Sequence, residues 1–257
     1  MKIAVCVKQA LDVSQLKIDE KTKKPLTTIV PRKMNDLDRN SIEEALRIKE
    51  KVGGTVTAIT FGNEKAKETL REALAMGADE AILIIDDLNV EEDEYITAQI
   101  LSRILMEKGP FDIILCGEMS IDRYSSQIGP RIAEKLEIPC ITYVRSTKIE
   151  DEQIIVERDL EDRTEMVKTK LPVLLTVTRE INTPRLPPLM AILKAARKNI
   201  EKISARDLKI DLQPQLKTIE LKGVEVRRKN IIIKDKPVEE EVRELIRYLT
   251  KESVLEG

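Results

Sequence analysis

The segment Gly117–Arg131 (GEMSIDRYSSQIGPR) gathers residue types that can hold an anionic ligand without catalysing anything. Gly117 lets the chain leave a strand tightly. Asp122 and the pair Ser125-Ser126 stand where a helix begins, and there unpaired N–H groups and the helix dipole favour a phosphate. Gln127 adds an amide, and Gly129 permits a close backbone approach. The same Asp and Ser types also cap helices with no ligand present, so spacing alone leaves phosphate binding and capping both open. Neither GxGxxG nor GxxxxGK[ST] occurs, so any nucleotide held here is held in another mode.

Other reactive types offer less. The chain has no histidine, which excludes Ser-His-Asp and Cys-His catalysis and any histidine-bound metal. Its three cysteines, Cys6, Cys116 and Cys140, are far apart without CxxC spacing, as expected of a reducing compartment. Met34-Asn35-Asp36-Leu37-Asp38 reads as a helix N-terminus with acids against the dipole. Acid–base work by Asp36 and Asp38, or a ribose or base contact, is the alternative. Glu43-Glu44 and Glu91-Glu92-Asp93-Glu94 read as solvated faces, and no Asp/Glu/Cys cluster has metal-ligand spacing.

These residues need elements to position them. Short apolar runs at Ile3–Val7, Thr55–Phe61, Ala81–Ile85, Phe111–Cys116 and Pro172–Val177 alternate with helical patterns at Ser41–Lys51, after Asn63, at Tyr95–Met106 and at Ser126–Leu136. Continuous apolar strands between helices predict a parallel sheet covered on both faces, an open doubly wound α/β domain. Candidate loops follow three strand ends: Cys6–Gln9, Phe61–Asn63 and Gly117–Gln127. Ile154–Arg158 and Thr164–Val167 flank a polar Glu161-Asp162-Arg163 turn, predicting a β-hairpin on the sheet's edge. The nucleotide-binding domain is expected over residues 1–182. A proline-rich loop (NTPRLPP) then leads into the amphipathic helix Leu189–Lys198, within a segment 183–200. Residues 201–257, with a charged helix over Val238–Lys251, form an extended C-terminal arm expected to pack on another subunit.

Composition narrows the class. Lys and Arg total 44 against 46 Asp and Glu, a net charge of −2 that argues against bulk nucleic-acid binding. The 35% charged fraction resembles that of thermophile proteins. There is no membrane-length apolar run and no signal-peptide pattern, so a soluble, cytoplasmic protein without membrane insertion is expected.

Five segments in register resemble one family. Val7-Lys8-Gln9, the MNDLD element before SIEEALRIKEK, ETLREALAMGADEAILI, GEMSIDRYSSQIGPRIAEKL and VTREINTPRLPPLMAILKAARKNI are similar to the β subunit of electron transfer flavoproteins, FixA-type proteins included. The similarity runs from residue 2 to about 210. It implies an adenine nucleotide alpha hydrolase-like fold and a heterodimer with an α subunit that holds most of a redox FAD. The β subunit holds AMP or, in flavin-bifurcating members, a second FAD. Carried over motif by motif, the nucleotide site comprises Cys6, Asn35, Asp36, Leu37, Asp38 and Phe61. It also takes in Ser120, Ile121, Asp122, Arg123, Tyr124, Ser125, Ser126, Gln127, Ile128, Gly129, Pro130 and Arg131. The family's phosphate loop usually carries an acidic pair where Arg123-Tyr124 stands here, and Ala10-Leu11-Asp12 departs from its usual Pro or aliphatic pair. Gaining an arginine favours a more anionic ligand and leans the expectation toward a second FAD and electron bifurcation from NADH.

The resemblance further implies that Pro184–Lys198 docks dehydrogenases, with Leu189 as apolar anchor beside Lys194, Arg197 and Lys198. A quinone oxidoreductase of the ETF-QO/FixC type would accept the electrons. The alternatives are a stand-alone adenine-nucleotide sensor and a nucleotide-dependent enzyme such as an ATP pyrophosphatase. The latter needs a Ser-Gly-Gly-x-Asp loop where Lys8-Gln9-Ala10 stands.

Overall fold

The computed structural model describes residues 1–87, 93–213, 215–216, 218–223 and 229–255. Glu91 and Glu92, of the second acidic run, lie outside them. The chain forms two compact units, residues 1–221 and 222–257.

In the first unit, β1 (Lys2–Cys6) leads into a two-stranded antiparallel ribbon, β2 (Gln9–Leu11) and β3 (Arg32–Met34). Then follow α1 (Asp36–Val52), β4 (Thr55–Gly62), α2 (Lys67–Met76), β5 (Glu80–Ile85), α3 (Glu94–Lys108), β6 (Ile113–Gly117) and α4 (Ile128–Leu136). The chain continues through β7 (Cys140–Glu150), β8 (Gln153–Asp159), β9 (Thr164–Lys170), β10 (Val173–Val177), α5 (Leu189–Arg197) and β11 (Glu201–Ser204). The nine-stranded sheet runs β11-β5-β4-β1-β6-β10-β7-β8-β9. Its strands pair in parallel from β11 through β7, while β7-β8-β9 is an antiparallel meander at one edge. The expected fold class and edge hairpin are both present.

Alternation along each strand feeds two cores. Ile3 and Val5 of β1 face α1 and α2, whereas Ala4 and Cys6 face α3 and α4. With helices on both faces, central strands such as β10 are buried throughout, which explains why they are largely apolar rather than alternating. Each fully buried isoleucine among them contributes about 1.5–3 kcal/mol.

From β1 the chain turns to β4 on one side, and after β5 it crosses by α3 to β6 on β1's other side. The carboxyl ends of β1 and β6 therefore flank the point where strand order reverses. Three features escaped sequence reasoning: the β2-β3 ribbon, β7, and β11, which extends the sheet beside β5. The ribbon strands and β11 are three or four residues long, too short for periodicity to show, and a register shift between Val144 and Ser146 interrupts the alternation of β7.

The second unit contains α6 (Val238–Lys251), an amphipathic helix with no buried residue. The arm expected from residue 201 is thus divided, residues 201–221 belonging with the sheet. Among the described residues no helix is long and apolar enough to cross a membrane.

Candidate functional site

A cleft of about 940 Å³, its open mouth included, lies over the carboxyl ends of β1, β4 and β6. Its walls include Cys6–Gln9 after β1, Phe61–Asn63 after β4, the first turns of α3, residues of the loop between Gly117 and Ile128, and Arg32, Asn35 and Asp38 from β3 and the start of α1.

The MNDLD element builds the cleft's frame. Asn35 ends the return from β3, and its amide donates to Asp38 Oδ1 (2.9 Å) and to the Met119 carbonyl (2.9 Å). Its own oxygen accepts from the Ile121 N–H at 3.0 Å. Asp38 accepts from the backbone N–H of Lys8 (2.7 Å) and of Gly117 (3.1 Å). One helix start therefore fastens the loop after β1 to the loop after β6. Burial pushes the Asp38 carboxyl up to about 7, against the Asn35 amide, the two N–H groups and the Lys8 charge. Gly117 is required where these parts meet, because a Cβ there would stand 2.5 Å from Asp38 Oδ1 and 2.8 Å from Leu37 Cβ. Asp36 instead faces Lys33 at 3.2 Å and Arg39 at 3.6 Å, and Leu37 is buried in the packing.

Asp122 turns away from α4 toward β1. It accepts from Lys8 Nζ at 2.7 Å and from the Leu11 N–H at 3.1 Å. Burial alone would raise this carboxyl, but the Lys8 ammonium and hydrogen bonds hold it below the usual range. Lys8 Nζ also donates to Ser120 Oγ at 3.3 Å. The N-cap of α4 is Gln127, with no side-chain cap bond, so neither Asp122 nor Ser125 caps this helix. The N–H groups of Ile128 and Gly129 precede the first bond of this helix, from the Arg131 N–H to the Gln127 carbonyl at 3.1 Å, and Ile128 lines the cleft wall with Ser125 and Ser126. Gln127 Oε1 instead accepts from Arg131 Nε (3.0 Å) and Nη2 (2.8 Å). The Arg131 guanidinium also lies 6.0 Å from the Tyr95 ring centroid.

Of the site residues carried over by motif, Cys6, Asn35, Asp38, Phe61, Ser120, Arg123, Ser125, Ser126, Gln127 and Ile128 line the cleft. Ile121, Asp122, Pro130 and Arg131 stand behind the wall or beside it, and Tyr124 is exposed at φ 54°. Gly129 faces β10, where a Cβ would meet Thr176 Cγ2 at 2.4 Å. Sequence reasoning missed Arg32 on the ribbon and Glu94, Thr97 and Leu101 on α3. Only the acid at the start of a helix offered any signal for these.

Glu43 and Glu44 overturn the expectation of a solvated face: both are buried. Glu43 accepts from Arg185 Nε (2.8 Å), Nη2 (3.1 Å) and backbone N–H (3.0 Å), and from Arg47 Nε (3.0 Å). Glu44 accepts from Asn182 Nδ2 at 3.1 Å and from the Thr147 hydroxyl. Asn40 and Asn182 exchange amide bonds, 2.8 Å to the Asn182 carbonyl and 3.1 Å to the Asn40 carbonyl. The proline-rich segment is thereby latched to α1.

Beyond the latch, α5 packs on α2 through Ala195, and Arg71 donates to the Ala195 carbonyl (2.5 Å) and the Lys198 carbonyl at its end. Lys198 Nζ reaches back to the Ala78 carbonyl at 3.0 Å. Leu189 is 71% exposed, and Leu186, Met190, Ile192 and Leu193 are exposed with it, beside Lys194 and Arg197.

Comparison with known proteins gives a family model, the electron transfer flavoprotein domain, matching residues 26–208. The chain is 47% identical over 212 residues to an electron transfer flavoprotein subunit beta of Thermoanaerobacterium thermosaccharolyticum, covering 82% of this chain and 81% of that one. It is 41% identical to the caffeyl-CoA reductase-Etf complex subunit CarD of Acetobacterium woodii, covering 76% and 75%. Protein FixA of Azotobacter vinelandii is 36% identical, covering 78% and 74%.

Proposed function

Because the chain belongs to the electron transfer flavoprotein family of β subunits and FixA proteins, we propose that it holds an adenine nucleotide in the β1/β6 cleft and serves a two-subunit electron carrier. The observation that carries this reading is the uncapped start of α4 at the switch point of the sheet. Its N–H groups, with Lys8, Ser125 and Ser126, suit phosphate oxygens, and Phe61, Ala66 and Leu101 suit the face of a base. Asn35, Asp38 and Asp122 act as positioning residues that hold this wall. FAD, shared with an α subunit, supplies the electron-transfer chemistry, while the chain supplies binding, orientation and charge.

A second FAD in place of AMP is the further part of the proposal. Its support is Arg32 and Arg123 on the cleft, together with an adjoining hollow that shares Gln9, Arg32 and Asn63 and is walled by Thr27, Thr28, Val30 and Pro31. Bifurcation from NADH follows from that second flavin. The name of the Acetobacterium relative, a subunit of a reductase-Etf complex, supports assembly into larger machinery. The exposed face of α5 around Leu189 is the proposed docking surface for a dehydrogenase, with an ETF-QO/FixC-type quinone oxidoreductase as acceptor and the cytoplasm as location. The exposed apolar residues of α6 suit burial by the α subunit.

The test is to co-purify the chain with its α subunit, denature the complex in acid and count the released nucleotides. Two FAD per heterodimer supports bifurcation, and one FAD with one AMP supports the simple carrier. Absence of any nucleotide beyond the α subunit's FAD refutes the cleft assignment.

A further inference from the structure

Cys6 and Cys116 are 110 positions apart in the chain, yet they are direct register partners at the carboxyl ends of the parallel neighbours β1 and β6. Neighbouring strands lie about 4.8 Å apart, and register partners project to the same face. Both side chains belong to the core on the α3/α4 side, both are more than nine-tenths buried, and both line the cleft floor. The neighbouring Cys6 thiol, together with burial, pushes the Cys116 ionisation well up. Cys140, the remaining cysteine, is exposed at the start of β7.

We propose that Cys6 and Cys116 form a dithiol site, on the floor of the nucleotide cleft, for a soft metal or metalloid held by two sulfurs. Paired thiol sulfurs select soft ions over hard ones. Two such sulfurs side by side can bridge one acceptor atom, which an isolated thiol cannot. With a trivalent arsenical the step needs no oxidant. The As=O group and two S–H groups give two As–S bonds and one water, and arsenic remains trivalent. Both cysteines line the cleft floor and are otherwise packed in the core, so a nucleotide seated above them covers the site. That covering rests on the nucleotide reading above, whereas the bridge itself does not.

The probe is phenylarsine oxide, applied to the full-length Cys140→Ser chain. The expected product carries one phenylarsenic group with two protons lost, resists a monothiol, is released by a dithiol, and maps to the peptides of Cys6 and Cys116. Cys6→Ser and Cys116→Ser should each lose dithiol-specific capture. Peptide mapping in the Cys140→Ser chain locates the bridge even if either of these variants fails to fold. A monothiol-sensitive adduct, or a bridge absent from that map, overturns the proposal. AMP at ten times its measured Kd leaves about one site in eleven open, so capture should slow about tenfold. Unchanged capture at measured AMP saturation overturns the placement beneath the nucleotide. If AMP does not bind at all, the nucleotide reading fails while the mapped bridge still decides the dithiol site.

Discussion

Replacing Arg185 by methionine keeps much of the apolar stem and removes the guanidinium from the latch. Glu43 then keeps only Arg47 at 3.0 Å and the backbone N–H of residue 185 at 3.0 Å. Stripping a partner from a fully buried charge costs about 3–5 kcal/mol, whereas an exposed pair contributes about 0–1 kcal/mol. The Glu43 side chain is 4% exposed and that of Arg185 is 36% exposed, with Glu50 also lost at 2.6 Å. The expected cost lies between those limits, about 2 kcal/mol. For a chain of this size that lowers Tm by about 4–8 °C. The pH dependence supplies a second readout. Burial raises the Glu43 carboxyl, but the hydrogen bonds and charge of Arg185 outweigh it and hold the group below its ordinary 4.5. A depressed carboxyl stabilises the fold above its unfolded value and loses that contribution as pH falls through its folded value. The difference between wild type and Arg185→Met should therefore be full at pH 7 and shrink below pH 4.5, as measured by urea unfolding. A difference under about 0.5 kcal/mol at neutral pH, the ordinary range for surface changes, would refute the latch. So would a larger one that does not change with acid.

Further outcomes follow from the same geometry. Gly117→Ala forces a Cβ against Asp38 and Leu37, and overpacking of this kind costs about 1–3 kcal/mol; AMP affinity measured by calorimetry should fall with it. Asp93 accepts from Tyr95, Ile96, Gln215 and Leu216 N–H groups at 2.8, 3.1, 2.7 and 2.9 Å. Asp93→Ala should cost about 1–3 kcal/mol and speed amide exchange at Gln215 and Leu216, and unchanged exchange there would contradict the tie. Leu189→Ala, at an exposed position, should leave stability within about 0.5 kcal/mol and flavin content unaltered. Stopped-flow measurement should nevertheless show slower electron transfer with a dehydrogenase, and an unaltered rate would remove Leu189 as anchor.

The alternation of apolar strands with helical patterns was enough to predict a doubly wound sheet, because burial on both faces leaves no charged positions within its central strands. The hairpin at the edge was equally legible, since β8 and β9 flank a polar turn. The loop from Gly117 also announced itself, by residue types that suit the start of a helix at a strand end. Its division of labour did not. Asp122 reads as a cap or a ligand contact, and only the fold brings Lys8 to it from 114 positions away. Glu43 and Glu44 read as solvent-facing because charged pairs on helices usually are, and their burial depends on Asn182 and Arg185 arriving from beyond β10. The pairing of Cys6 with Cys116 depends on strand order, which local periodicity does not encode. What the sequence determined by itself was the set of elements and the loop most suited to an anion, since these rest on interactions between near neighbours. What tertiary structure alone decided was which distant polar groups meet, because Lys8 and Asp122, or Glu43 and Arg185, lie on segments brought together by the crossover between β5 and β6 or by the return of the chain after β10.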